Sequence, residues 1–294
     1  MQTAINTTQI LVQRIMCAQT LPAALPGIAI KKAYREAVKL LHPDLCKLPM
    51  AAEALIRLNE LKKVHEQGQW LVDDAGPMWT KDNVARFSGH APLLATSFKQ
   101  YKRLKNRNTE QARHFQLYLP ERMELDAELT LHFQHRAIPL YGLQLPQGHV
   151  NWILSRLLEI AAWFAQEGIV HSGINPKSVF LVPETHGIII SSFYHLKRIG
   201  QPLETISASY QNWYPATVFT KKEAETAIDL EACKRTAAYL LGDTSGLGVK
   251  LKKTHLPAFV DFLLDRHTNA YDCYREYRAL LKRNFEQRFL PLQL

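Results

Sequence analysis

The stretch Glu167 to Leu181, "EGIVHSGINPKSVFL", decides the fold of the larger part of this chain. Residues 149–166 precede it, and apolar side chains crowd most of the circumference of the helix that they would form, which predicts a largely buried helix. After it the sequence predicts a short loop, a strand at Ser178 to Val182, a turn, and a strand at Gly187 to Ser191. The polar residues of the loop are the first candidates for a functional site.

This order of buried helix, loop and two strands resembles the C-lobe of protein kinases, in which His-Arg-Asp-Leu-Lys-Pro-Glu-Asn precedes a hairpin that carries Asp-Phe-Gly. His171 and Pro176 keep the His and the Pro of that family. Gly173 stands in place of the catalytic Asp, Asn175 in place of the Lys, and Ser178 in place of the metal-binding Asn. The Asp-Phe-Gly position holds Ser192, Phe193 and Tyr194.

The resemblance continues downstream in "WYPATVFTKKEAETAIDLEACKRTAAYLLGD", residues 213–243. This stretch is similar to the end of an activation segment followed by the kinase helix whose Asp braces the catalytic loop, and Asp229 would be that Asp. Residues 256–289 would supply the closing helices. The resemblance spans about Gly148 to Phe289 and concerns order and pattern.

The same positions lack what phosphoryl transfer requires: a base, metal-binding residues and a glycine-rich loop over the phosphates. Before Gly148, the glycines Gly76, Gly89 and Gly142 are too far apart for such a loop. The resemblance therefore implies a pseudokinase with no catalytic residue, cofactor or metal. The alternative is an atypical nucleotide-binding kinase with relocated groups, for which the sequence offers Glu204, Asp243 and Asp261 and the glycine-rich stretch Gly242, Gly246, Gly248 and Lys250.

Near the N-terminus, "IAIKKAYREAVKLLHPD", residues 28–44, predicts an amphipathic helix with a basic stripe. Pro43 should end the helix near His42. "AAEALIRLNELKKVHEQG" predicts a second helix that ends near Gly68. The apolar faces would comprise Ile30, Tyr34, Ala37, Val38 and Leu41 in the first helix and Leu55, Leu58, Leu61 and Val64 in the second.

These helices resemble helices II and III of J-domains, the Hsp70-activating modules of DnaJ-type co-chaperones, and residues 8–27 would be helix I with its connection. The resemblance implies an Hsp70-type chaperone as a partner. It implies docking by Lys31, Lys32, Arg35 and Lys39 and triggering of ATP hydrolysis by His42, Pro43 and Asp44. The alternative is a helical hairpin whose His-Pro-Asp is merely a turn and whose cations face solvent.

Between the two regions the sequence is harder to interpret. The stretches 96–108 and 113–141 contain short alternating and aromatic runs, which suggest strands. The pair His132 and His135 lacks a third ligand and is not expected to hold a metal.

Composition is that of a folded, basic protein, with 47% hydrophobic residues, 21% charged residues and a net charge of +9. The charge suggests an acidic partner. Nucleic acid is an alternative that is not favoured, with Tyr210, Trp213 and Tyr214 as candidates for base stacking. Scattered cysteines and the lack of a signal-peptide pattern or a membrane-length apolar run lead us to expect a cytoplasmic protein without membrane contact.

Together these patterns predict a mainly α fold with a small β component. The expected parts are a J-like domain at 1–70, a linker and divergent N-lobe-like region at 71–147, and a helical C-lobe-like region at 148–294. The expected function is that of a non-catalytic adaptor co-chaperone whose pseudokinase body binds a client or assembly partner. The open alternatives are an atypical nucleotide-binding kinase and a basic nucleic-acid-binding or structural protein.

Overall fold

A computed structural model of the chain describes residues 2–26, 29–286 and 292. The chain divides into two compact units, of which the first ends at Gln69 and the second runs from Trp70 to Leu292. The fold is mainly α-helical with a small β part. The described residues of regions 71–147 and 148–294 thus fall within the same unit. Among the described helices, none has the length and hydropathy needed to span a membrane.

The described part of the first unit is built from helices around one apolar core. They are α1 (Gln2–Cys17), α2 (Leu21–Ala24), α3 (Ile30–Leu41) and α4 (Ala51–Gln67). Between α3 and α4, the Tyr34 hydroxyl donates a hydrogen bond to Asn59 Oδ1 at 2.5 Å. The fully buried side chains of this core are those of Ile15, Ala24, Leu41, Ala54 and Leu58.

Both helices predicted around His-Pro-Asp are confirmed. α3 ends at Leu41, because His42 precedes a proline and leaves the helical conformation with a ψ of 133°. α4 ends before Gly68, which has a φ of 83°, a positive value that glycine adopts without steric cost. One predicted core residue is wrong: Val64 is 46% exposed, since the buried stripe of α4 stops one turn earlier, at Leu61.

A five-stranded sheet occupies the N-terminal part of the second unit. Its strands follow the order β1-β2-β3-β5-β4. Along β3, buried Ala85 and Phe87 flank exposed Arg86, which is the alternation of a sheet with one covered face. The strands are β1 (Gln69–Val72), β2 (Pro77–Lys81), β3 (Val84–Phe87), β4 (Arg122–Leu125) and β5 (Leu129–His132).

The predicted strand at 96–108 is wrong, because the stretch up to Lys105 belongs to the helix α5 (Ala91–Lys105). His90 caps the helix by accepting a hydrogen bond from the Leu93 amide, and Pro92 lies in its first turn. The side chains that α5 buries recur at intervals of three and four residues, namely Leu94, Ser97, Tyr101 and Leu104. From 113 to 141, β4, β5 and β6 (Ile138–Pro139) confirm the strand prediction in part.

Helices form most of the remaining second unit. The buried helix predicted at 149–166 is confirmed as α7 (Gln147–Gln166), which packs against α9 (Thr226–Leu240) and α11 (Ala270–Asn284). The predicted strands are confirmed as the antiparallel pair β8 (Val179–Val182) and β9 (Gly187–Ile190). The other elements are α6 (Glu110–Phe115), β7 (Ile169–Val170), β10 (Lys197–Arg198), α8 (Ala216–Lys221) and α10 (Pro257–Leu264). Phe289, the predicted end of the kinase resemblance, lies outside the described residues.

Candidate functional site

We call residues 171–178, between β7 and β8, the central loop. All of its side chains are buried except that of Lys177, which is half-buried. Ser172 has a φ of 58°, a left-handed conformation that is uncommon for residues other than glycine. A buried loop with a strained residue requires strong anchors, and it obtains them from α9 and from its own side chains.

Asp229 on α9 provides the first anchor. Its Oδ2 accepts a hydrogen bond from the His171 amide at 2.7 Å, and its Oδ1 accepts one from the Ser172 amide at 2.8 Å. Burial raises the pKa of Asp229 to about 7, although both amide hydrogen bonds favour the ionised carboxylate. The structure thus brings Asp229 together with His171, 58 residues away in the chain.

His171 is a neutral imidazole with a defined tautomer. Its Nε2 lies 2.6 Å from the Ser192 carbonyl, which only accepts, so Nε2 carries the proton. Its Nδ1 accepts a hydrogen bond from the Gly173 amide at 3.2 Å. Burial lowers the pKa of His171 to about 4, which keeps the ring uncharged at neutral pH.

The predicted positions 173, 175 and 178 bond to one another. The Asn175 amide group donates to the Gly173 carbonyl at 3.0 Å, and the Ser178 hydroxyl donates to the same carbonyl at 2.8 Å. Asn175 Oδ1 accepts from the amides of Lys177 and Ser178. These side chains hold the turn of the central loop, a role that short polar side chains commonly take.

We call Ser192, Phe193 and Tyr194 the SFY segment. It joins the central loop, through the Ser192 carbonyl, to α5 and to the turn between β1 and β2. The Phe193 amide donates to the hydroxyl of Ser97 on α5 at 3.0 Å. The Tyr194 hydroxyl donates to Asp73 Oδ2 at 2.8 Å.

Asp73 and Asp74, in the turn after β1, are site residues that the sequence analysis missed. Asp73 Oδ1 accepts from the Ala75 and Gly76 amides, and the Ser207 hydroxyl donates to Asp74 Oδ1 at 2.8 Å. His195 Nε2 lies 3.1 Å from Asp74 Oδ2. Together with the bond from Tyr194, every carboxylate oxygen of the pair has a partner within the protein.

The His195 ring also fills the space next to Gly173. A Cβ atom added to Gly173 would lie 2.9 Å from His195 Cδ2, closer than such atoms approach in folded proteins. His195 has little freedom to withdraw, because its Nδ1 lies 2.8 Å from the Thr205 hydroxyl while its Nε2 faces Asp74. A side chain at position 173 would therefore require the His195 ring to shift.

In the first unit, all residues predicted to contact Hsp70 are exposed. Within the described part of the chain, none of the four cations of α3 forms an ion pair within 4 Å. The Asp44 amide donates to His42 Nδ1 at 3.3 Å, and Lys47 Nζ donates to the Pro43 carbonyl at 3.1 Å. Asp44 Oδ2 lies 3.4 Å from His42 Nδ1, but the Asp44 side chain is 85% exposed, so its other carboxylate oxygen is open to a partner.

Other candidate residues lie in separate places. The predicted base-stacking role of Trp213 and Tyr214 is wrong, because the two residues are only 3% and 9% exposed.

His132 faces Glu124, and His135 faces Glu184. Glu204 pairs with Lys197, Asp243 accepts from Ser245, and Asp261 is exposed on α10. Gly242, Gly246 and Gly248 adopt positive φ in the turns before Lys250.

Comparison with known proteins yields no assignment: no family model and no curated protein matches this chain.

Proposed function

We propose that the chain is a non-catalytic adaptor co-chaperone. In this proposal the first unit is a J-domain that recruits a cytoplasmic Hsp70-type chaperone and stimulates its ATP hydrolysis. The second unit is a pseudokinase that binds a client or assembly partner. The observation that carries the proposal is the exposed His42-Pro43-Asp44 at the end of a helix whose four cations have no ion-pair partner among the described residues.

The geometry of α3 suits an acidic protein surface. A helix that presents several unpaired cations on its exposed side attracts an acidic partner and sets the register of the complex. Asp44 follows the break that Pro43 imposes, and its exposed carboxylate can accept a charge-assisted hydrogen bond from a partner arginine. Lys47 holds the Pro43 carbonyl and so limits the conformations that this turn can adopt.

Support for the pseudokinase comes from the environment of the central loop. The bonds from Asp229 to the backbone at His171 and Ser172 match the bracing role that the resemblance implies for this Asp. Gly173 has no side chain to act as a base, and the Ser178 hydroxyl is engaged by the Gly173 carbonyl. The nearby carboxylates of Asp73 and Asp74 are occupied by protein donors. Phosphoryl transfer requires a free base and free groups that bind the metal.

Single-turnover ATP hydrolysis by a cytoplasmic Hsp70 tests the proposal. The full-length protein should accelerate hydrolysis, and His42→Gln should abolish the acceleration. His65→Gln is a matched control, because it makes the same chemical change at an exposed position of α4 in the same unit. Equal stimulation by wild type and His42→Gln, or none by either, would contradict the co-chaperone proposal for that Hsp70.

Two titrations separate the proposal from the alternatives. Saturable binding of Mg-ATP would favour an atypical kinase, whereas the adaptor requires none. Tight binding of an oligonucleotide would favour the nucleic-acid-binding alternative if the affinity falls steeply with salt and is unchanged by His42→Gln.

A further inference from the structure

A groove of about 220 Å³ lies in the second unit between α5 and the segment that contains β10. Arg103 and Gln100 line it from α5, and Arg198 and Gln201 line it from the other side. Guanidinium and amide groups both donate hydrogen bonds, and here they come from two elements that are almost 100 residues apart in the sequence. None of the residues that line this groove belongs to the central loop or to α3.

The two arginines of the groove are available for a ligand. Among the described residues, neither Arg103 nor Arg198 forms an ion pair or a side-chain hydrogen bond. A third guanidinium, that of Arg107, is paired with Glu167. Burial is the largest cause of the lowered pKa of Arg107, and the positive charges of Arg103 and Arg198 lower it further. These two groups therefore lie near Arg107.

Unpaired guanidinium groups that repel one another in a concave site are stabilised by an anion. Arginine binds phosphate through two parallel N–H···O bonds, and the glutamine amides add neutral donors for the remaining oxygens. We propose that this groove binds the phosphoryl group of a phosphorylated serine or threonine side chain on a partner protein. Nothing in this proposal depends on Hsp70 binding by the first unit.

The distribution of charge in the groove favours a single phosphoryl group over a nucleic-acid backbone. Glu204 lines the groove and pairs with Lys197, Nζ to Oε2, at 2.6 Å. Because Lys197 already neutralises Glu204, this pair adds no net positive charge for a second phosphate, whereas a nucleic-acid backbone carries one negative charge at every nucleotide. Lys99 and Lys102 are exposed on α5 but do not line the groove. Their removal should weaken binding to a diffuse basic face and leave binding to the groove unchanged.

Binding to the full-length protein is measured by NMR of the arginine side-chain N–H groups at constant ionic strength. The probes are a capped five-residue peptide with one phosphoserine among Ala and Gly, its unphosphorylated form, inorganic phosphate and a single-stranded oligonucleotide. The test variant is Arg103→Gln with Arg198→Gln. Lys99→Gln with Lys102→Gln is the control, because it also removes two exposed positive charges and leaves the groove intact. All substitutions are at exposed positions, and thermal unfolding checks that each variant is folded.

The phosphopeptide should bind saturably, at least tenfold more tightly than the unphosphorylated peptide and no more weakly than inorganic phosphate. The arginine double variant should weaken this binding by tenfold or more, and the lysine double variant by less than twofold. Equal weakening by both variants would overturn the proposal in favour of a diffuse basic face. Tighter binding of the oligonucleotide, binding of inorganic phosphate alone, or no saturable shift would also overturn it.

Discussion

The Tyr194 hydroxyl donates a hydrogen bond to Asp73 Oδ2 over 2.8 Å and so joins residues that are 121 positions apart in the chain. One residue further along each segment, His195 faces Asp74. These two contacts fix the turn between β1 and β2 against the SFY segment. They also place two half-buried carboxylates where the sequence predicts none.

Burial raises the pKa of Asp73 from its ordinary 3.8 to about 6. Between these values the folded protein binds more protons at Asp73 than the unfolded chain does, so this group makes stability fall as pH rises from about 4 to about 6. Asp73→Asn should remove that dependence. The free energy of unfolding of wild type minus that of Asp73→Asn should decrease by up to about 1.4 kcal/mol per pH unit in this window and level off above it.

Urea unfolding followed by tryptophan fluorescence measures this difference, because all five tryptophans lie in the second unit. Tyr194→Phe tests the cause. The hydroxyl of Tyr194 favours the ionised form of Asp73, so its removal should raise the pKa further and extend the falling window above pH 6. A difference between wild type and Asp73→Asn that is constant across pH 4–7 would contradict the prediction.

An aspartate at position 173, where the kinase resemblance predicts a catalytic Asp, should damage the fold. The new Cβ of Gly173→Asp would collide with His195, and overpacking of this kind costs about 1–3 kcal/mol of stability. Chemical denaturation measures the loss. His195→Ala in the same chain removes the colliding ring, so the double variant should be more stable than the sum of the single effects predicts. Strictly additive effects would show that the two positions do not compete for space.

The cysteines should divide into two classes of reactivity. Burial raises the pKa of Cys273 to about 12 and raises that of Cys233 well above its ordinary value, so neither provides an accessible thiolate. Cys17 is exposed and Cys46 is half-buried. A thiol reagent should modify Cys17 and Cys46 in the folded protein and the other two only after unfolding. Cys17→Ser with Cys46→Ser should abolish the fast phase, and a fast phase that persists would disprove this division.

Periodic segments are the part of the fold that the sequence predicts well. α3, α4, α7 and the pair β8 and β9 each show a local pattern that packing does not override. α5 has a helical pattern as well, with buried residues at intervals of three and four, but Phe98 and Tyr101 among lysines also suit a strand. The cap at His90 and Pro92, outside the stretch that suggested a strand, decides in favour of helix.

The site could be predicted only in part, for a physical reason. The kinase resemblance predicts that Asp229 braces the central loop. Its contact with His171 follows from the packing of α9 against this loop. The carboxylates of Asp73 and Asp74 carry no such signal, because the turn that holds them meets the SFY segment only in the tertiary structure. Contacts across more than 100 residues leave no periodic trace in one sequence.

Two glycines with left-handed backbones offer a matched test of packing around Trp213. Gly246 has a φ of 71°, and an added Cβ would lie 2.4 Å from Trp213 Cζ2, while Gly142 has a φ of 81° and no atom within 4 Å of the added Cβ. Alanine at either position should cost about 1 kcal/mol for the backbone conformation. Gly246→Ala should cost a further 1–3 kcal/mol or so, because the indole is held by its bond to the Ser245 carbonyl at 2.9 Å. Urea unfolding measures both losses, and equal losses would show that the indole moves aside freely.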